Sequence, residues 1–200
     1  MDMPSPPYDD PIEWFDSWFA EARQTGMTDP NAMCLSTVDA AGLPSSRIVL
    51  LKDYDRDGFV FYTNLKSMKG QQLEATQVAA LNFFWRDIGR QVRIEGQTEQ
   101  VEDHVADEYF ATRDRGSQIG AWASRQSRPL ESREELIDRV EELEVEFQGK
   151  EVPRPPHWSG VRVRPVRIEF WQAGDYRLHN RFVFIRDALD GDWNPTRLYP

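Results

Sequence analysis

Three nitrogen-rich side chains stand at alternate positions in Tyr176-Arg177-Leu178-His179-Asn180-Arg181-Phe182. If this segment is a strand, Arg177, His179 and Arg181 share one face, with Leu178, Asn180 and Phe182 opposite. Side chains of this kind repel one another unless an anion or a carboxylate sits among them. The pattern therefore points to an anionic-ligand site containing a titratable imidazole. A solvated strand edge with ordinary surface arginines has the same spacing, and spacing alone leaves both readings open.

A second cluster is Ser45-Ser46-Arg47-Ile48-Val49-Leu50-Leu51-Lys52, an apolar centre bracketed by two cations. Arg47 and Lys52 are an odd number of positions apart, so one regular strand cannot present both on one face. Either a bulge intervenes or the two reach different parts of a ligand. A third cluster is Tyr62-Thr63-Asn64-Leu65-Lys66-Ser67-Met68-Lys69-Gly70, where a strand runs into a helix start. Backbone N–H groups and hydroxyls there, with Lys69 beside them, suit a phosphate. Many strand–helix junctions share that pattern.

Composition limits what these cations can serve. The 200-residue chain has a formal net charge of −10, which repels nucleic acid and anionic membrane surfaces. Any anion must be held by a local cluster that overrides the global field. The single Cys34 excludes an internal disulfide, and its run Ala32-Met33-Cys34-Leu35 marks it as a buried small hydrophobe. No Cys/His grouping has metal-ligand spacing, so no metal is expected. His104 and His157 read as surface or packing residues. The N-terminus lacks the basic start and apolar core of a signal peptide, and no stretch approaches the ~20 apolar residues of a membrane span. A cytoplasmic protein is expected.

These clusters need elements to position them. Residues 1–9 read as a mobile, proline-rich start and residues 10–200 as one domain. Asp10 is an N-cap, Pro11 the first helical residue and Glu13 the second half of a capping-box-like pair; Ile12, Phe15, Trp18, Phe19 and Ala22 then mark a helical face ending near Gly26. Turn signals divide the next stretch into strands at 33–38, 47–53, 59–63, 78–85 and 91–101, with a short helix at 67–75. Amphipathic helices are expected at 102–113 and 132–147, and closing strands at 161–172, 176–186 and 193–198. This predicts a mainly β antiparallel barrel or sandwich with flanking helices. Tyr109 and Phe110 follow helical periodicity and read as core. The Phe170/Trp171 alternation puts one ring inside and leaves the other available for a ligand.

Together the segments resemble the pyridoxine/pyridoxamine 5′-phosphate oxidase family. The matching stretches are Arg47-Ile48-Val49-Leu50-Leu51-Lys52, Phe61-Tyr62-Thr63-Asn64, Arg90-Gln91-Val92-Arg93, Ser117-Gln118-Ile119-Gly120-Ala121-Trp122-Ala123-Ser124, Gln126-Ser127, Glu169-Phe170-Trp171-Gln172, Arg177-Leu178-His179 and Arg197-Leu198-Tyr199-Pro200. They run in register from about Asp10 to Pro200.

The resemblance implies an FMN-binding split β-barrel, homodimeric, with FMN at the subunit interface. It implies FMN contacts from Arg47, Ile48, Val49, Leu50, Leu51, Lys52, Tyr62, Thr63, Lys69, Gln91, Gln126, Ser127, Trp171 and Arg181. Substrate contacts fall on Lys52, Tyr109, Arg113, Ser117, Arg177 and His179, the last two flanking the reacting carbon as the catalytic pair. The implied reaction is oxidation of pyridoxamine or pyridoxine 5′-phosphate by dioxygen to pyridoxal 5′-phosphate and hydrogen peroxide. Two phosphorylated ligands also account for cationic clusters in an acidic chain. The chain departs from many relatives in carrying Met68 beside Lys69 in place of arginine, in lacking a long basic N-terminal arm that covers the substrate, and in carrying Asn180 in place of aspartate. A related flavin oxidase on another substrate, of the phenazine-pathway type, and a non-catalytic barrel holding flavin or pyridoxal phosphate are the competing readings.

Overall fold

Helix α1 (Pro11–Gln24) begins where Asp10 accepts a hydrogen bond from the Ile12 N–H. Pro11 fits the first turn because its missing N–H has no intrahelical partner there. Glu13 does not complete a capping box; its carboxylate pairs with Arg56. The helix buries Ile12, Trp14, Phe15, Trp18, Phe19 and Ala22 against a sheet. A computed structural model describes residues 5–200. The first four residues of the expected mobile start lie outside the described residues, and residues 5–9 form bends before α1.

The sheet contains β1 (Ala32–Val38), β2 (Pro44–Leu50), β3 (Asp53–Asp55), β4 (Gly58–Asn64), β5 (Val78–Trp85), β6 (Arg90–Gln100), β7 (Trp158–Gln172), β8 (Asn180–Ile185) and β9 (Asn194–Arg197). Every pairing is antiparallel, in the order β2-β1-β5-β6-β7-β4-β3, with β8 and then β9 added beyond β7. The sheet curls until β2 and β4 approach, yet no hydrogen-bonded ladder joins them among the described residues. This is the expected split barrel.

Its inner face and α1 share one aromatic core. Trp14 stacks on Phe170 at 4.1 Å and 12°, while Phe15 meets Phe59 and Phe83 edge-on at 4.9 and 5.1 Å. Helix α2 (Met68–Thr76) links β4 to β5. Helices α3 (Asp103–Ala111), α4 (Arg115–Ala123) and α5 (Arg133–Glu146) lie between β6 and β7 around a second cluster of Phe110, Ile119, Leu143, Val152 and Trp158.

Four sequence expectations need correction. Helix α4 was not expected, because Gly116 and Gly120 depress its propensity; Asp114, accepting from the Ser117 N–H, caps it. The strand expected at 47–53 stops at Leu50, and β3 starts separately at Asp53. Cys34 is half-buried, not core, because the run Ala32–Val38 is a strand in which Met33, Leu35 and Thr37 face inward and Cys34 faces out. The strand expected at 176–186 begins at Asn180, since Tyr176 and Arg177 form a turn with φ of 55° and 65°.

Trp14 joins α1 to the sheet and is 1% exposed. Trp14→Ala should lower the unfolding free energy by about 3–5 kcal/mol, the cost of emptying a large aromatic site, as read by urea denaturation. A loss below about 1 kcal/mol would show that α1 is not an integral part of the core.

Candidate active site

Strand β4 ends in a tightly tied junction. The Ser67 hydroxyl donates to the Asn64 carbonyl at 2.7 Å and accepts from the Gly70 N–H at 3.3 Å, which caps α2. Asn64 accepts from the Lys66 N–H and reaches the Ser124 carbonyl at the end of α4. Position 70 must be glycine, because a Cβ there would stand 2.2 Å from the Leu65 carbonyl oxygen. This geometry directs Lys69 toward Gln126, whose Oε1 accepts from Nζ at 2.9 Å, with Ser67 Oγ at 3.3 Å.

Arg47 projects from β2 on the side of Leu35 and Thr37. Its Nη1 donates to Thr37 Oγ1 at 2.6 Å and to the Ser45 and Leu35 carbonyls at 3.1 and 3.3 Å. Gln72 of α2 accepts from the Thr37 hydroxyl at 2.5 Å and donates to Ser45 Oγ, closing the network. Burial, and then the Arg47 charge, lower the Lys69 pKa; burial likewise lowers that of Arg47. Two neighbouring cations held by neutral oxygens favour an incoming anion.

Lys69 lines a cleft of about 770 Å³, within the usual range for small-molecule sites, and Arg47 acts on Lys69 from just outside that lining. The lining includes Ile48, Val49, Leu50, Lys52, Tyr62, Thr63, Lys69, Tyr109, Arg113, Ser117 and Gln126. The ring of Tyr62 stacks on Tyr109 at 3.9 Å and on Trp158 at 5.1 Å, each at 10°. Burial is the main cause raising the Tyr62 pKa and lowering that of Arg113. Lys52 follows the end of β2, where its N–H donates to the Val60 carbonyl. Leu51 points into the barrel core, so only its backbone is available to the cleft. Ser127, at φ 70°, lines an adjoining groove together with Gln126.

The remaining sequence candidates occupy a different place. Gln91, Trp171 and Arg181 are cross-strand neighbours on β6, β7 and β8 and share the outer sheet face. His179 packs its ring 4.5 Å from Trp171, and its Nδ1 accepts from the Gly174 N–H. Arg177 is exposed on the left-handed turn. The shared strand face expected for Arg177, His179 and Arg181 therefore does not exist. The turn brings His179 to the same end of the sheet as Trp171 and Arg181 by another route.

Glu169 organises this second group. It is 2% exposed and accepts from Arg181 Nε and Nη2 at 2.8 and 2.7 Å, from Arg167 at 3.3 Å and from Arg93 at 3.5 Å. Sequence reasoning assigned Glu169 no role. An acidic residue facing three arginines becomes visible only when β6, β7 and β8 are paired. Thr37 and Gln72 were missed for the same reason.

The two groups are far apart within one chain. Tyr62 pairs with Gly160 and Arg181 with Trp171, eleven residues along β7. That is on the order of 35 Å of strand. The outer face between them exposes Ile48, Val78, Phe84 and Ile185.

A family model described as pyridoxamine 5′-phosphate oxidase matches residues 19–147. Proteins named pyridoxine/pyridoxamine 5′-phosphate oxidase from Brucella canis and Brucella suis are each 52% identical over 191 residues, spanning 96% of this chain and 94% of theirs. The chain belongs to the pyridoxamine 5′-phosphate oxidase family. A second model, described as the pyridoxine 5′-phosphate oxidase C-terminal dimerisation region, matches residues 158–200. Among solved structures, PhzG from Burkholderia lata in complex with tetrahydrophenazine-1-carboxylic acid has a TM-score of 0.92 at 34% identity, covering 100% of this chain and 98% of that one. A pyridoxamine 5′-phosphate oxidase-related, FMN binding protein from Nostoc punctiforme, at 13% identity and TM-score 0.74, shares the fold.

Within this family fold, Met68 stands 51% exposed at the start of α2 and adds no charge to the Arg47–Lys69 pair. The outer-face network gives a direct test. Glu169→Gln leaves Arg181 without its carboxylate, while Arg93 and Arg167 keep Glu95, and should cost about 1.5–3 kcal/mol of unfolding free energy. A loss below about 1 kcal/mol would place the network among ordinary solvated surface pairs.

Proposed function

We propose that the protein is an FMN-dependent oxidase converting pyridoxamine 5′-phosphate or pyridoxine 5′-phosphate into pyridoxal 5′-phosphate, with dioxygen reduced to hydrogen peroxide and, from the amine, water consumed and ammonia released. The observation that carries this reading is a cleft edged by two sets of cations that have no carboxylate partner among the described residues. Arg47 and Lys69, beside the capped start of α2, form one set; Lys52 and Arg113, with Tyr109 and Ser117, form the other. FMN and the substrate each bring one phosphate to neutralise a set.

The junction fits the cofactor phosphate, because the Gly70 contact and the Ser67 cap leave backbone and Lys69 Nζ at one place. Bound FMN would supply the two-electron acceptor whose reoxidation consumes dioxygen. Lys52, Tyr109, Arg113 and Ser117 hold the substrate phosphate, and this remote binding energy fixes the pyridine ring. His179 accepts at Nδ1 from the Gly174 N–H, so in the neutral ring the proton lies on Nε2. Nε2 is thereby a donor toward the amine or hydroxyl of the reacting carbon, with Arg177 beside it.

One protomer keeps these groups apart, so we infer a homodimer in which each cleft is completed by Gln91, Trp171, Arg177, His179 and Arg181 of a second copy. The exposed apolar residues of the outer face, the length of β7 between the groups and the match of residues 158–200 to a dimerisation region support this. Among the described residues no helix is long and apolar enough to cross a membrane. The likeness to PhzG favours a second reading, a flavin oxidase acting on a phenazine precursor. Such a carboxylate ligand has no phosphate to occupy the Lys52–Arg113 set.

The assay is oxygen consumption by FMN-loaded protein. Pyridoxamine 5′-phosphate should yield hydrogen peroxide and pyridoxal 5′-phosphate in equal amounts. Turnover of tetrahydrophenazine-1-carboxylic acid alone would transfer the protein to the second reading, and no peroxide from either would make it a binding module. Arg177→Ala should lower kcat/KM about 100-fold with FMN retained, the scale of lost alignment. Arg181→Ala should weaken FMN binding roughly 10- to 100-fold, as for a lost charge-assisted hydrogen bond. The reverse assignment of losses would overturn this division of the outer-face group.

A further inference from the structure

Among the described residues at least nine arginines are ion-paired to carboxylates, but Arg113 is not among them. Its Nη1 is buried and has no hydrogen-bond partner. An unpartnered buried guanidinium nitrogen is costly, so something else must hold the group in place. Its Cζ lies 4.8 Å from the ring centroid of Trp158 and 5.5 Å from that of Phe110. Both distances are within the range where a ring's electron-rich face attracts a cation.

We propose that Trp158 is the positioning residue of the phosphate end of the cleft: its indole holds the Arg113 guanidinium in place without neutralising it. The proposal rests on the reading that Arg113 meets the substrate phosphate. A carboxylate in the same place would compete with that phosphate for the guanidinium. Water alone would leave the long side chain to be ordered on binding, at an entropic cost. An aromatic face attracts the cation yet brings no net charge, so the attraction to a dianion survives. Burial lowers the Arg113 pKa against smaller opposing effects of Tyr109 and Asp114, whose carboxylate is turned to the Ser117 N–H at the start of α4 and makes no ion pair with the guanidinium.

The surroundings of Trp158 are built to keep its ring still. Its carbonyl accepts from Arg154 Nη1 at 2.8 Å, and the same guanidinium binds Asp103 and Asp107 of α3 at 2.8 and 2.5 Å. Helix α3 carries Tyr109 and Phe110 and runs directly toward Arg113. One arginine thus ties the start of β7, where the indole sits, to the helix that delivers the cation. Phe110 meets the indole edge-on at 5.1 Å and 71°, and Tyr62 stacks on it. Trp158 is also nearly buried, so a replacement acts on these contacts and not on a solvent-exposed surface.

The test uses the FMN-loaded enzyme with inorganic phosphate as competitor of pyridoxamine 5′-phosphate. Trp158→Leu should raise both KM and the inhibition constant of phosphate about 5- to 20-fold, with kcat changed less than about 3-fold and FMN affinity unchanged. Trp158→Phe, which keeps an aromatic face, should recover most of the loss. Site-specific fluorotryptophans at position 158 keep the shape while drawing charge from the ring, and should weaken phosphate binding progressively with fluorine number. Equal losses in the Leu and Phe variants, or a parallel loss of FMN, would show packing alone and overturn the proposal. Should the Leu variant not fold, phosphate binding that stays constant across the fluorinated series overturns it by itself. Failure of the underlying reading is separate: Arg113→Ala would then leave phosphate inhibition unchanged, and both statements would fall together.

Discussion

An acidic protein that is to hold a phosphorylated ligand must keep a few cations away from its own carboxylates. Acidic residues outnumber basic ones by 34 to 24, so an arginine placed without constraint finds a carboxylate close by. Among the described residues at least nine arginines outside the cleft do so. Those at its margin are held differently. Arg47 is held by a threonine hydroxyl and backbone carbonyls, Lys69 by a serine and a glutamine, and Arg113 by aromatic rings. Each partner orients the cation and contributes no negative charge, so the positive potential remains available to a ligand.

Much of the fold serves that arrangement. Antiparallel pairing of β1 with β2 sets Arg47 opposite Leu35 and within reach of Thr37, and α2 brings Gln72 to the same hydroxyl. Tight contact at Gly70 brings the first turn of α2 against Leu65, which fixes Lys69. The Arg154 clamp locates α3 against β7. Arg181 is the instructive exception, because Glu169 accepts from two of its nitrogens and cancels much of its charge. Its contribution is a rigid donor geometry beside Trp171, in place of positive potential. The outer sheet face thus supplies orientation and an aromatic surface, and the cleft supplies charge.

Local patterns in the sequence exposed the strands, the Asp10 cap and the Ser67 start of α2, since turn residues and period-two alternation act over a few positions. The candidate ligand residues could be named only through a resemblance to a family. Their grouping was not legible. Alternation at Arg177, His179 and Arg181 suggested one strand face, but Tyr176 and Arg177 occupy left-handed backbone and the strand starts only at Asn180. Leu51 appeared as a cleft residue, yet its side chain joins the core once β2 ends at Leu50. The Glu169 network and the Trp158–Arg113 contact join residues distant in sequence, so no window of residues reveals either. The division of the site between two ends of β7 likewise depends on strand register, which sets which residues lie opposite one another.

Uncompensated positive charge in the cleft is measured most directly by the phosphate of FMN. Flavin-stripped protein should be titrated calorimetrically with FMN and with riboflavin, which differs only in lacking that phosphate, at low and high salt. FMN should bind at least about 100-fold more tightly at low salt, a difference worth roughly two hydrogen bonds to a charged group, and the gap should narrow as salt screens the cations. Equal affinity for the two flavins, or a gap indifferent to salt, would mean that the charge is compensated.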